Sequence, residues 1–352
     1  MSDNKASGAG EQTNSRKVEH IRVIEQDSGT DRDGGYFDRI HLSHRGLPEI
    51  ALADIDTQVE FLGKTLSFPM LISSMTGGDH ELVRKINHNL AIAAQATGVA
   101  MGVGSQRVML EQPAARASFE LRRFAPDALL FANLGAVKLN YGCGLAECRE
   151  VVDALDADAL YLHLNPLQEA VQPEGDTNFS GLLDKIAGIN ERLGCPVVLK
   201  EVGCGMSPED IAAAAVRGIS CVDVAGQGGT SWSRIEHHRA GESGDSLGLR
   251  FQDWGIPTPK ALRLAAPFRD RVELIASGGL RNGVDMVKSV ILGARLCGLA
   301  APLLKPAMES ADHVVAAIET LKREFATAMF LLGMPDVKTL YGNEQLILDE
   351  NF

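Results

Sequence analysis

No apolar run in this chain of 352 residues reaches the roughly 18 needed to span a bilayer. The first fifteen residues are polar and Gly/Ser-rich, with no hydrophobic signal core. A cytosolic protein without a membrane partner is expected. No run of Lys and Arg exceeds three residues and the net charge is −12, so the basic face that nucleic acid or anionic lipid requires is missing. A small-molecule substrate is the default expectation. The six cysteines (Cys143, Cys148, Cys195, Cys204, Cys221, Cys297) stand mostly singly in apolar segments. They form no CxxC pair and have no ligand-type histidine spacing beside them, which argues against a disulfide framework or a cysteine metal site.

What is present is an ordinary globular composition, 45% apolar and 23% charged, enough to bury a large core. Short β-branched apolar runs alternate with longer stretches of helical period, the pattern of repeated βα units. Eight strands are predicted, at 69–74, 99–104, 128–135, 159–165, 196–202, 221–226, 272–279 and 294–300. Helices are predicted at 81–96, 145–155 and 210–217, with one long helix closing the chain near 308–331. Eight repeats, and no GxGxxG turn after the first strand, point to a (β/α)8 TIM barrel rather than an open doubly wound sheet. The expected organisation is a tail over residues 1–15 and a single barrel domain over 16–352.

In such a barrel the active site lies at the C-terminal ends of the strands. Those positions are polar here: Ser74-Met75-Thr76, Ser105-Gln106-Arg107, Asn133, His163, Lys200, Thr230, Gly278-Gly279 and Ala300-Ala301. After the seventh strand, ASGGLRNG places two glycines and Arg281 ahead of a helix. That arrangement suits a phosphate cradle, or else a tight βα turn. Lys200 ends an apolar strand, where a bare ammonium is costly and needs an anionic partner. The partner is either a carboxylate on the next strand or the N1/O2 edge of a reduced flavin. Glu169 is a lone carboxylate beside Asn165 and Gln168, the kind of ligand Mg²⁺ shares with substrate phosphates and waters. Residues 233–256 read as a long loop, either a lid or a surface insertion.

The stretch LADIDTQVEFLGKTLSFPMLISSMTGG (52–78), with SGGLRNGVD and LGAR later, resembles the FMN barrel enzymes. The 2-hydroxy-acid oxidases of that superfamily carry a catalytic histidine in an HGGR-like loop; this chain has AGQGGTSW (225–232) in its place. An FMN-dependent 2-hydroxy-acid oxidase is therefore the weaker alternative. RKVEH (16–20), SSMTGG (73–78), GSQR (104–107), HLNPLQEAVQPEGD (163–176), KEVG (200–203) and GGTSW followed by Glu236 are similar to the type 2 isopentenyl-diphosphate isomerases over about residues 16–345.

The resemblance implies FMN lined by Ser74, Met75, Thr76, Ser105, Asn133, Lys200, Thr230, Gly278, Gly279, Arg281, Ala300 and Ala301. It implies a diphosphate substrate held by Arg16, Lys17, His20, Ser105, Gln106, Arg107 and Gln168, with Mg²⁺ on Glu169. Gln168, Glu236, His163 and Lys200 are the implied catalytic groups, reduced FMN the implied acid/base, and NADPH its reductant. A homo-octamer or homotetramer is the assembly the resemblance implies.

Overall fold

The computed structural model describes residues 19–75, 77–240 and 246–350; Arg16, Lys17 and Thr76, and the expected tail boundary at residue 15, lie outside them. The chain enters through a helix, α1, over residues 19–26. Strand β1 (Ile40–Leu42) pairs antiparallel with the C-terminal β12 (Ile347–Glu350), and β2 (Val59–Phe61) and β3 (Lys64–Leu66) form a hairpin. Its two-residue turn, Leu62-Gly63, holds φ at 48° and 78°, as the tightest hairpin turns require.

Eight parallel strands then close into a barrel in sequence order. They are β4 (Met70–Ile72), β5 (Ala100–Gly102), β6 (Leu130–Gly135), β7 (Ala159–Leu164), β8 (Val197–Glu201), β9 (Cys221–Asp223), β10 (Glu273–Ser277) and β11 (Ala294–Leu299). Each falls inside a stretch predicted from the sequence. The connecting helices follow in turn: α2 (Glu81–Thr97), α3 (Arg107–Glu111), α4 (Leu145–Leu155), α5 (Pro166–Val171) and α6 (Leu182–Leu193), then α7 (Pro208–Val216), α8 (Trp232–Ala240), α9 (Leu247–Arg250) and α10 (Thr258–Ala265), and after β10 and β11 α11 (Gly283–Ile291), α12 (Ala301–Glu309) and α13 (Ala311–Leu332), with the short α14 (Val337–Leu340) beyond.

The long helix predicted near 308–331 is α13, and Ser310, in an extended conformation, caps it by accepting from the His313 amide. One sequence expectation needs correction. Residues 233–256 are not a structureless loop: α8 and α9 occupy most of the described part. Helix α8 has only a weak apolar stripe, and tertiary ion pairs help to hold it, Arg234 to Asp27 at 2.6 Å and Arg239 to Glu174 at 2.9 Å. A single sequence does not display partners from such distant positions.

The two-residue period of the strands decides what enters the barrel. Leu71, Ala100, Phe131, Tyr161, Val198, Cys221, Ile275 and Leu296 point inward, and the hairpin's Val59, Phe61 and Leu66 join the same cluster. Their neighbours Met70, Ile72, Leu130, Ala132, Leu160 and Leu162 pack outward under the helices. Two residues further along, the inward positions become Asn133, His163, Lys200, Asp223 and Ser277: the packed interior gives way to a polar layer at the mouth.

All six cysteines are free. Cys148, Cys221 and Cys297 are buried and the other three are half-buried, and burial pushes the Cys148 and Cys204 thiols up to about 12.

Candidate active site

A cleft opens above the polar layer. Its wall includes His20, Ile21 and Ile24 of α1, Ser74 and Met75 after β4, Ser105 after β5, Asn133, His163, Gln168, Lys200, Thr230, Gly278 to Arg281, and Ala300-Ala301 at the start of α12.

Lys200 and Asp223 are paired residues of adjacent strands, and the ammonium lies 3.0 Å from the carboxylate. Lys200 also donates to Ser277 Oγ (3.1 Å), which donates to Asp223 Oδ1 (2.6 Å); Tyr161 donates to Asp223 Oδ2 at 3.3 Å. Of the two partners open to Lys200, the carboxylate on the next strand is thus present, and the lysine still lines the cleft. Asp223 has no exposed surface. Sequence reading missed it, although a carboxylate closing an apolar strand next to the lysine strand was the available signal.

Asn133 is held by donating to Val103 O (2.9 Å), and its carbonyl oxygen lies 2.7 Å from His163 Nδ1. That contact makes Nδ1 a donating nitrogen of the ring. Gln106 is wholly buried, donates to Val151 O (2.8 Å) and accepts from the Asn133 amide (2.9 Å). In these contacts its amide braces the strand end. Arg107, the first residue of α3, pairs with Glu111 at 2.5 Å.

A second polar chain runs along the opposite segment of sequence. Gln168, on α5, donates to Glu236 Oε1 at 2.8 Å; His20 Nε2 lies 3.3 Å from the same oxygen, and Arg239 binds Oε2. Burial alone raises a carboxyl group, yet the hydrogen bond and charge of His20, then Arg239 and Gln168, outweigh it and hold Glu236 at about 2. The His20 ring also meets Trp232 edge-on at 5.3 Å. Glu201, on the opposite face of β8 from Lys200, behaves differently. Burial pushes it up to about 7, against three backbone N–H donors from Cys204, Gly203 and Val202.

The glycines of the GQGGT and SGG turns sit back to back. A Cβ on Gly278 (φ 96°) would fall 2.0 Å from Gly226 O, and one on Gly279 (φ 84°) 2.6 Å from Gly228 O. The tight-turn requirement is therefore real, and it coexists with a bare backbone surface on the cleft. Arg281 donates to Asp31 (2.7 Å) and Gly228 O (3.0 Å), while its amide is taken by Asp285 and Asn282 caps α11. Ser74 Oγ is buried with no hydrogen-bond partner. An orphaned hydroxyl, bare glycine backbone and a charged Lys200 fit a flavin phosphate group and its ring in one cleft.

Glu169 lies behind Gln168. Its carboxylate accepts from Asn165 (2.9 Å), Gln172 (2.5 Å) and the Asp176 amide (2.7 Å). The amide oxygens of Asn165 and Gln172 are themselves buried without partners. Among the described residues no group of three or more His, Cys, Asp or Glu gathers as a metal cage. This knot of oxygens fits a hard cation that takes one protein carboxylate and completes its shell from elsewhere.

The FMN-dependent dehydrogenase family matches residues 11–124 and 160–347, and the chain belongs to it. A flavocytochrome b2 variant with sulfite bound has the same fold, with a TM-score of 0.67 at 19% identity over 90% of this chain and 78% of that one. The loop after β9 nevertheless lacks any histidine between 225 and 232. Nearer relatives separate the branches. Isopentenyl-diphosphate delta-isomerases of Hydrogenovibrio crunogenus (55% identical, 95% of this chain and 97% of that protein) and Paracoccus zeaxanthinifaciens (57%, 94% and 96%) match almost end to end. Within the FMN-dependent proteins, the chain is a member of the type 2 isopentenyl-diphosphate delta-isomerases, and it is an isomerase.

Proposed function

We propose that this chain converts isopentenyl diphosphate to dimethylallyl diphosphate for isoprenoid biosynthesis, with FMN, Mg²⁺ and NADPH as flavin reductant. The reaction adds a proton at the terminal alkene carbon and removes one two bonds away, with no net redox change. The observation that carries the reading is Glu236: a carboxylate with no exposed surface, held ionised, and hydrogen-bonded to an amide that lines the cleft.

When bound and reduced, FMN supplies the acid/base group that alkene protonation demands. Gln168 relays between substrate and Glu236, which is ionised at neutral pH and so able to accept a proton. Lys200, its charge steadied by Asp223 and Ser277, stabilises negative charge beside the flavin ring. Asn133 holds the His163 ring in place to hydrogen-bond flavin or substrate. Ser74, Met75, Thr76, Ser105, Thr230, Gly278, Gly279, Arg281, Ala300 and Ala301 complete the flavin site. Arg16, Lys17, His20, Ser105 and Arg107 take the diphosphate, and Ile21 and Ile24 offer apolar surface to the five-carbon skeleton. Glu169, oriented by Asn165 and Gln172, would hold Mg²⁺, which would supply positive charge to the diphosphate. A homo-oligomer is the assembly supported by the sequence resemblance.

The test is an anaerobic assay of the purified protein with isopentenyl diphosphate, Mg²⁺, FMN and NADPH, omitting each in turn and following dimethylallyl diphosphate. Product that vanishes on each omission is the expected result. Flavin bound and reduced without isomerisation sinks the reading.

A further inference from the structure

Arg32 stands in the segment that follows α1 and is 9% exposed. Its Nε donates to Gly229 O (3.1 Å), Nη1 to Gln252 O (3.1 Å) and Trp254 O (3.4 Å), and Nη2 to Gly203 O (2.6 Å) and Thr230 O (3.0 Å). A guanidinium has five N–H groups, and all five meet backbone carbonyls from three separate stretches: the loop after β8, the loop after β9, and the stretch between α9 and α10. The backbone joins in, with Arg32 N on Gly229 O (3.0 Å) and Ser231 N on Thr30 O (2.7 Å). Burial lowers the guanidinium pKa, and the nearby Cys204 and Glu201 oppose that shift.

The loops that Arg32 gathers carry Gly203, Gly229 and Thr230, which line the cleft, and the β9 loop runs directly into α8, which bears Glu236. Arg32 itself does not line the cleft. We propose that Arg32 is a positioning residue of this active site, setting the spacing of the β8 and β9 loops so that Thr230 meets the cofactor and Glu236 meets Gln168. The inference rests on the reading of the cleft as the FMN and substrate site. Lysine cannot replace it, because three donors on one atom do not span three loops; removal strands the carbonyls of Gly203, Thr230 and Trp254, while Gly229 O keeps the Arg32 amide and Gln252 O keeps Ser231 Oγ.

The experiment makes Arg32→Ala and Arg32→Lys in the full chain and measures FMN affinity by flavin fluorescence, then KM and kcat in the anaerobic assay, with and without ethylguanidinium. The alanine variant is expected to bind FMN at least about tenfold more weakly and to show a raised KM. The lysine variant should also be impaired, and ethylguanidinium should restore part of the loss in Arg32→Ala alone. Unchanged FMN affinity and KM overturn the proposal, whatever happens to stability; so does a loss in Arg32→Ala that ethylguanidinium does not reverse. Should the alanine variant not fold, native FMN affinity and KM in Arg32→Lys overturn it. If the native protein binds no flavin, the proposed function fails on its own. Amide exchange at residues 203–204, 229–231 and 252–255 then still decides: faster exchange in Arg32→Lys supports the arginine's role and unchanged exchange refutes it.

Discussion

At the scale of the residue, two buried charges at the mouth are kept in opposite ways. Lys200 is neutralised by Asp223 on the neighbouring strand, and breaking such a pair from one side leaves an uncompensated charge. Lys200→Met is expected to destabilise the fold by about 3–5 kcal/mol. Adding Asp223→Asn should recover much of the stability while isomerisation stays lost, as denaturant titration beside the activity assay will show. Glu236 is held ionised by His20, Arg239 and Gln168. Its pKa in the folded protein, about 2, lies below the ordinary 4.5. Its contribution to stability is thus fully present above pH 4.5 and is lost as pH falls toward 2. Glu236→Gln should abolish isomerisation and make thermal stability fall less steeply between about pH 4.5 and 3 than in the native protein. An equally steep fall refutes the assignment.

At the scale of the element, glycines report which contacts serve the site and which serve the fold. Gly278 lies where backbone meets backbone at the cleft, whereas Gly283 begins α11, and a Cβ there would fall 2.4 Å from Phe325 N of α13. Both substitutions to alanine overpack. Gly278→Ala, with its positive φ in addition, is expected to weaken FMN binding by tenfold or more, about 1.4 kcal/mol. Gly283→Ala should cost about 1–3 kcal/mol of stability and leave FMN affinity of the folded protein unchanged. Flavin titration and thermal melts on the pair separate the two effects; equal flavin affinities in both variants contradict the placement of the cofactor beside the SGG turn. The helix α8, which the sequence presents as loop, belongs to this scale too. Its stretch SWSRIEHHRA after the glycines carries little apolar periodicity, and it is held by burial of Ile235 and Glu236 together with pairing to Asp27, just beyond α1, and to Glu174.

At the scale of the whole molecule, a cofactor that binds only the folded barrel must stabilise it by mass action. With FMN at about 100 times its dissociation constant the gain is about 2.7 kcal/mol, seen as a rise in melting temperature that grows with FMN concentration. A melting temperature indifferent to FMN counts against flavin binding. The same barrel also explains why the strands are legible in the sequence. Alternation of inward and outward residues, and β-branched runs bounded by glycine, are local signals, and all eight barrel strands fall where those signals lie. The β2–β3 hairpin escapes prediction, because its Leu62-Gly63 turn lacks the usual Asn-Gly signature.

The polar residues at the strand ends are likewise legible in the sequence alone, because in a barrel the period that fills the interior also selects what faces the mouth. Which of those residues meet is not. The pairing of Lys200 with Asp223 depends on strand register. The inward turn of Gln106 onto backbone depends on how α3 leaves β5. The convergence of His20, Gln168 and Glu236, and of Arg32 on three loops, joins positions as much as 222 apart in the chain. Local pattern is written by the period of a strand or helix, so it survives in one dimension; partnership is written by closure of the barrel, which has no trace in the spacing of residues along the chain.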